Sequence, residues 1–577
     1  MTNLLSKFEL IVEHSKTEVF HFTRLQRFFN PPPLDLFPID GHILCPKDSW
    51  KYLRFIFDRK LFFHQHINFY SNKAMLTVKY MKILSNSNHS LNPYQKCLLY
   101  QSCILLITLY GFQLWFYNCA PLSYPLKILE KIQRRATLWI LGAFKTSPTF
   151  SIKAIAGLIP INLHLQKLSS RSQIWAHSLP PNHIIWSLME PNFPSSTSQH
   201  SSSLGVLTKH QHKSIKEHLV DIDNRFNEVF PSFTPLHPEF SLGFRVIDTF
   251  SDCFSFNLFS KQKNNSLKMY IHQLDNIVIK SSSIPSLALI ITDTSIKSNI
   301  AMFILHMHIC NKPISKTLYH AVHIMSTEAE LFAIRCSINQ AMNHNDISKI
   351  IVITDSIHAA KKIFDLSSHL YQVHSATILN ELHIFFSHHQ DNSIEFWKCS
   401  SHYNWNLYKV VDKETKVFNP IPLFPCKMSW DFSKKSQCDD IANIWKMTFQ
   451  ASDFKGKQFL NGDDNIIEPS YIKGGAWLKY FGHSNSLYTR ASRAITNYAL
   501  IGEYRLRFFP REEFRCPCGM YPIESRHHIL HECRRFNEYW NLWRDSINHF
   551  VMFLETNLSV FAFLDSTSSS VVSRTCN

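Results

Sequence analysis

Four acidic residues are spaced so that folding could bring them to one point. Asp293 ends the apolar run Leu287 to Thr292, and Asp355 ends a second run, Ile350 to Thr354. Glu330 lies in Ser326-Thr-Glu-Ala-Glu330-Leu331, which reads as the first turns of a helix, and Asp412 follows Val410-Val411 in another helical stretch. Carboxylates are hard oxygen donors, and a set of them suits Mg²⁺. A pair of such ions promotes in-line displacement at phosphorus, so the expected chemistry is phosphodiester hydrolysis. Taken singly, each acid also has an ordinary reading as a solvated group at an element end. Their order and the elements that carry them point to a shared metal site.

A second constellation lies near the C-terminus. Cys516-Pro517-Cys518-Gly519 is followed by His528 and Cys533. Thiolates with one imidazole make a closed tetrahedral Zn²⁺ site, with Gly519 permitting the tight turn. His527 and His531 are rival ligands, and unliganded thiols are the alternative. Arg490, Arg493, Arg505, Arg507, Arg511 and Arg515 gather just before, a pattern that fits phosphate contacts.

The elements that must position the four acids follow in order. Apolar runs at 287–293, 300–309 and 315–325 read as strands, 326–343 as a helix and 350–354 as a strand. Helices from about 356 and near 371–388, a strand at 393–398 and a last helix complete the series. With Thr292-Asp293-Thr294-Ser295, Ala329-Glu330-Leu331 and Thr354-Asp355-Ser356 in this order, residues 286–418 resemble the ribonuclease H family. The resemblance implies an α/β fold with a five-stranded mixed sheet. It also implies two Mg²⁺ held by Asp293, Glu330, Asp355 and Asp412, and endonucleolytic cleavage of RNA in RNA–DNA hybrids. Thr294 stands where the family has glycine. His402 has the spacing of a family histidine, without its surrounding signature.

Composition favours a polyanionic partner: the formal charge is +16 and the pI about 9.1. Fourteen cysteines are scattered, several in apolar runs, as in a reduced intracellular protein of nucleus or cytoplasm. The N-terminus does not read as a signal peptide. Residues 97–120 carry no charge, but interspersed Gln, Ser, Thr and Asn mark a buried core helix and not a membrane span. There are only 13 Gly in 577 residues, so turns lack their usual supply of residues that tolerate positive φ.

Short strands around 19–22 and 52–57, joined by the Pro31-Pro-Pro loop, precede a helical stretch at 61–180. Lys73, Lys79 and Lys82, then Arg134 and Arg135, give it a basic face suited to nucleic acid, a solvated face being the alternative. Lys16-Thr-Glu, Tyr52-Leu53-Arg54, Tyr110-Gly111, Gln133-Arg134-Arg135 and Leu141-Gly142 resemble the palm end and thumb of a LINE-type (non-LTR) retrotransposon reverse transcriptase. Arg54 replaces the glycine of the family's Tyr-Leu-Gly turn. The C-terminal cluster resembles the zinc knuckle of the same proteins, and Glu524-Ser-Arg-His-His528 followed by Cys533 keeps its spacing, which favours His528. The order then reads: palm end 1–60, thumb 61–180, linker 181–285, ribonuclease H-like domain 286–418, and a mostly helical tail 419–577 with the knuckle near 505–545. No Asp-Asp turn occurs in 1–60, so polymerase activity is expected to be absent. Partners are expected to be RNA–DNA hybrid and other nucleic acid. The alternative readings are a catalytically inactive nucleic-acid-binding relic and an unrelated nuclease of the same fold.

Overall fold

The structure, a computed structural model, describes residues 18–22, 46–85, 91–116, 123–177, 183, 247–257, 266–297, 300–322, 324–365, 371–389, 391–417, 430–452, 484–539, 547–558 and 560–561. Lys16, the Pro31 loop and the polar stretch from Pro191 lie outside the described residues. Two compact units result. One draws on both ends of the chain, Met1–Ser170 and Cys438–Asn577, with Thr197–His218; the other takes Arg171–Ser196 and Leu219–Gln437.

The first unit begins with a hairpin, β1 (Ser49–Tyr52) and β2 (Phe55–Asp58). Its two-residue turn puts Leu53 at φ 46° and Arg54 at φ 68°, the conformation a twisted hairpin demands and glycine supplies most cheaply. The hydroxyls of Tyr110 and Tyr70 brace the turn, donating to the carbonyls of Leu53 (3.3 Å) and Arg54 (3.0 Å). Helix α1 (His64–Leu84) follows. Then comes a broken run: α2 (Pro93–Leu99), a π turn at Tyr100–Ile104, α3 (Leu105–Thr108) and α4 (Phe112–Trp115). The core helix expected over 97–120 is therefore interrupted. Gly111 causes the break, at φ 70°, where a Cβ would sit 2.4 Å from the Phe55 ring. Helices α5 (Ser123–Leu141), α6 (Thr149–Ile155) and α7 (Ile161–His177) complete this stretch.

In the second unit, strand alternation decides what faces what. The strands are β3 (Phe254–Asn257), β4 (Leu287–Lys297), β5 (Ile300–Ile309), β6 (Lys312–Val322), β7 (Lys349–Thr354) and β8 (Ser393–Lys398). They form one mixed sheet in the order β3-β8-β7-β4-β5-β6. β4, β5 and β6 pair antiparallel, while β4, β7, β8 and β3 pair parallel. The helices of this unit are α8 (Ser266–Ser283), α9 (Ser326–Met342), α10 (Ile357–Ile363), α11 (Gln372–His388) and α12 (Asn406–Thr415). Even-numbered residues of β4 and β7 (Ala288, Ile290, Ile350, Val352) pack with α9, α10 and α11. Odd-numbered ones (Leu289, Ile291, Ile351, Ile353) pack with Leu274 of α8 and with Tyr408 and Val411 of α12. A mixed sheet covered by helices is consistent with a ribonuclease H-like α/β fold.

Among the described residues the sheet has six strands, not five. β3 lies in the stretch read as a linker and adds a parallel edge to β8, held by Phe254 stacked on Phe364 (4.1 Å) and Phe256 on Phe396 (5.3 Å). The same stretch supplies α8, whose Tyr270 hydroxyl donates to the Lys398 carbonyl (2.8 Å) and whose Asp275 accepts from Trp405 (2.9 Å).

The tail returns to the first unit. Among the described residues it contributes α13 (Trp430–Ala451), α14 (Asn485–Thr496), α15 (Gly502–Phe508), α16 (Arg526–His531) and α17 (Ile547–Thr556). Trp445, Leu487, Ile495, Phe550 and Phe553 share one apolar cluster with Ile67, Leu129, Ile140 and Ile152. Arg493, 1% exposed, donates to the Gly142 carbonyl, and Tyr488 to that of Ile155. The stretches 61–180 and 419–577, expected as separate domains, thus share a core. Among the described residues no helix is long and apolar enough to cross a membrane.

Candidate metal sites and basic surface

Asp293 is not at a strand end. β4 runs four residues past it, and it stands opposite Ile304 in mid-sheet. As an odd-numbered residue it faces α12. There Tyr408 donates to Oδ1 (2.7 Å) and Thr415 to Oδ2 (2.9 Å). Thr294 points the other way, and its hydroxyl donates to Glu330 on α9. Glu330 is 6% exposed, and its Oε2 is buried without a hydrogen-bond partner. Asp355 follows β7 and is exposed, while half-buried Asp412 is ion-paired to Lys416 (2.6 Å) one turn on.

The acids feel one another. Burial raises the Asp293 carboxyl, the two hydroxyl donors oppose this, and Asp412 raises it further. Glu330 is raised well above its usual range, by burial first and then by Asp355. Asp355 is pushed up to about 6 by its protein surroundings and by Asp293, with Lys398 pulling the other way. Accumulated negative charge, hard oxygen donors and a buried, unpartnered Glu330 oxygen together fit a divalent cation. The four acids are more widely spread than one tight ligand cluster: among the described residues only the cysteine–histidine group has all its ligand atoms within 4.8 Å of one another.

Tyr408, Thr415 and Lys398 had no role in the sequence reading, and Thr294 entered it only as the residue at the family's glycine position. A signal existed for two of them, since Tyr408, Asp412 and Thr415 recur at helical spacing on one face of α12. Glu414 on the same helix accepts from His306 of β5 (2.8 Å) and pairs with Lys316 of β6 (2.5 Å). His402 is exposed on the turn Ser401–Tyr403 between β8 and α12.

In the tail, Cys516, Cys518, His528 and Cys533 converge. Cys516 Sγ lies 3.8 Å from Cys533 Sγ, and Cys518 Sγ lies 3.2 Å from His528 Nε2. Four ligands around zinc, with Zn–S about 2.3 Å and Zn–N about 2.0 Å, require edges of about 3.8 Å (S···S) and about 3.5 Å (S···N). The first edge matches and the second is slightly short, so the group fits zinc. Gly519 takes φ 73° at the turn, and its N–H donates to Cys516 (3.0 Å). Burial pushes the Cys516 thiol up to about 12. Burial also acts upward on Cys518, but the Met520 N–H and neighbouring donors, His528 among them, outweigh it and hold that thiol near about 6. His528 Nδ1 lies 3.6 Å from Glu532, the position of an outer carboxylate that orients a ligating imidazole. His527 points instead at Glu532 (3.5 Å) from an exposed position.

The basic residues divide. Lys73, Lys79, Lys82 and Arg135 are exposed, and after partial burial the nearby Arg135 and Lys145 lower the Lys82 amine. Arg134 does not join them. Its guanidinium donates to the Lys145 (2.6 Å) and Ser147 (2.9 Å) carbonyls and fixes the loop before α6. Arg505 and Arg507 are likewise turned inward, donating to the carbonyls of Glu513 and Asn497, with Arg507 over the Tyr498 ring (4.9 Å). Arg490 bonds the Leu554 carbonyl. These arginines build the fold; of the tail set, Arg511 and Arg515 stay exposed.

No protein-family model matches the sequence, and no curated protein matches it. Among solved structures, the chain is similar to the protease–reverse transcriptase of prototype foamy virus (18% identity, TM-score 0.19), over 23% of this chain and 22% of that one. It is also similar to LC11-RNase H1, isolated from compost by a metagenomic approach (11% identity, TM-score 0.19), over 22% of this chain and 91% of that one. Likenesses this slight carry none of the argument that follows.

Proposed function

We propose that the α/β unit is a ribonuclease H-type endonuclease that cuts RNA in RNA–DNA hybrids, within a LINE-type retrotransposon protein whose tail binds zinc. One observation carries the reading: Asp293, Glu330 and Asp355 come within electrostatic reach of one another, Asp412 comes within reach of Asp293 and Asp355, and buried Glu330 keeps an unpartnered oxygen. Such an arrangement destabilises the fold unless a cation or a proton resolves it, which is the mark of a binding site.

Asp293, Glu330, Asp355 and Asp412 would hold the ions. When bound, Mg²⁺ supplies Lewis acidity for attack by water and for departure of the 3′ oxygen. The chain's own residues do the rest. Asp293 is fixed from α12, Glu330 is buried and oriented by Thr294, and exposed Asp355 meets the substrate side. Lys398 offsets part of the negative charge. Hybrid selection would rest on 2′-hydroxyl contacts to one strand. Cys516, Cys518, His528 and Cys533 would hold a structural zinc, and Lys73, Lys79, Lys82 and Arg135 would meet phosphates.

The test is cleavage of a labelled RNA–DNA hybrid by the full chain with and without Mg²⁺, beside Asp355→Asn. Mg²⁺-dependent cutting by the parent alone supports the reading. A parent that binds hybrid but never cuts it supports the second reading, an inactive nucleic-acid-binding relic, which Thr294 and Arg54, each standing where the resembled families have glycine, favour.

A further inference from the structure

Among the groups around the acids, three hydroxyls stand out. Tyr408 (1% exposed) and Thr415 (0%) sit seven residues apart on α12, hence on one face, and each meets a different oxygen of Asp293. Thr415 Oγ1 is also 2.9 Å from the Asp412 carbonyl, so its single proton is shared between the Asp293 side chain and the backbone of Asp412. Thr294 meets Glu330 from β4. Each carboxylate oxygen has two lone pairs, and one hydroxyl takes one of them. With two hydroxyls and the Thr294 N–H on its four lone pairs, the Asp293 carboxylate retains one for a cation, and the Glu330 oxygen met by Thr294 retains another.

We propose that Tyr408 and Thr415 are positioning residues that lock Asp293 and the Asp412 segment of α12 together before any cation binds. The proposal rests on the metal-site reading above. The brace does part of what a cation would otherwise have to do, fixing the Asp293 carboxylate against the stretch of α12 backbone that carries Asp412. Binding to a preorganised site avoids that ordering cost. Glu414, tied to His306 and Lys316, and Trp405, tied to Asp275, hold α12 to the same unit at other points. Losing the brace thus loosens the ligands without detaching the helix.

The probe is Mn²⁺ binding by the full chain without substrate, followed by the electron paramagnetic resonance signal of the free ion. Tyr408→Phe keeps the ring buried and removes one oxygen. Thr415→Val keeps the shape and removes the other, and Thr415→Ser restores a hydroxyl. Tyr408→Phe and Thr415→Val are expected to weaken binding about tenfold each, with Thr415→Ser within about twofold of the parent. If Thr415→Val does not fold, Tyr408→Phe reads the same brace. A parent that binds Mn²⁺ alongside variants that bind it equally well overturns the brace and leaves the metal site standing. A parent that binds no Mn²⁺ overturns both.

Discussion

Asp355→Asn should destroy activity and stabilise the protein. Asp355 is held at about 6 against an ordinary 3.8 because desolvation by the protein around its carboxyl, and Asp293, disfavour its charged form more than Lys398 favours it. A shift of about two units is worth about 3 kcal/mol at about 1.4 kcal/mol per unit. The side chain is exposed, so solvent screens much of this, and about 1 kcal/mol is the figure to test. The raised value means that the native state binds the proton more tightly than the unfolded chain does. Its stabilising contribution is complete below about 3.8 and is lost as pH rises through about 6. In magnesium-free buffer, Asn should therefore raise the melting temperature of the α/β unit by roughly 2–4 °C at pH 7.5 and by almost nothing at pH 4. Calorimetry at the two pH values reads this. Hybrid cleavage should meanwhile fall by about a hundredfold or more, since losing even an outer-shell partner of a metal costs 10–100-fold. A variant that melts lower than the parent at pH 7.5, or gains equally at both pH values, refutes the crowding argument. One that cuts hybrid at the parent's rate refutes the site.

Three further outcomes are expected. Arg54→Gly should relieve the left-handed turn, which costs an ordinary residue roughly 1–2 kcal/mol, less the roughly 0.5–1 kcal/mol of glycine's added entropy, so the urea midpoint of the helical unit should rise. Gly502→Ala would place a Cβ 1.9 Å from the Phe514 carbonyl oxygen and 2.8 Å from Glu524, so it should cost about 3 kcal/mol and lower bound zinc, read by metal analysis and melting. Cys518→Ser should lose zinc and, because Cys516 and Cys533 lie in the cluster shared with Ile67 and Leu129, should lower the melting temperature of the whole helical unit in the full chain; an unchanged melt would argue against metal-coupled folding.

The order of elements from Leu287 to Thr415 was legible because β4, β5 and β7 contain plain apolar runs and β8 alternates buried Ile394 and Phe396 with polar Ser393 and Glu395. Glu330 was legible because a helix start was visible ahead of it. Asp293 was placed at a strand end because the apolar run stops there, but the ladder to β5 does not depend on side-chain polarity and carries β4 on to Lys297. β3 escaped notice because four residues, Phe254 to Asn257, make too short a pattern, and its register comes entirely from β8. The arginines before Cys516 looked like phosphate ligands because composition cannot tell a guanidinium facing water from one donating to a carbonyl. Scarce glycine was visible as a problem but not its solution. The chain sets Leu53, Arg54, Cys310, Asn311, Tyr371, Asn404 and Asn497 at positive φ and lets tertiary contacts carry the strain.

The helical unit is assembled from two halves of the chain, with the α/β unit encoded between them. That arrangement has a consequence for timing. A ribosome releases Ile67, Leu129 and Ile152 long before Trp445, Leu487 and Phe553 exist to cover them. The α/β unit, whose strands and helices follow one another from Phe254 to Thr415, can close first, while the earlier-made helices wait with an incomplete core. Closing a loop of that length adds only logarithmically to the entropy cost, so the finished unit loses little stability by being split. The waiting interval, not the final fold, is where this chain is most exposed to aggregation and proteolysis.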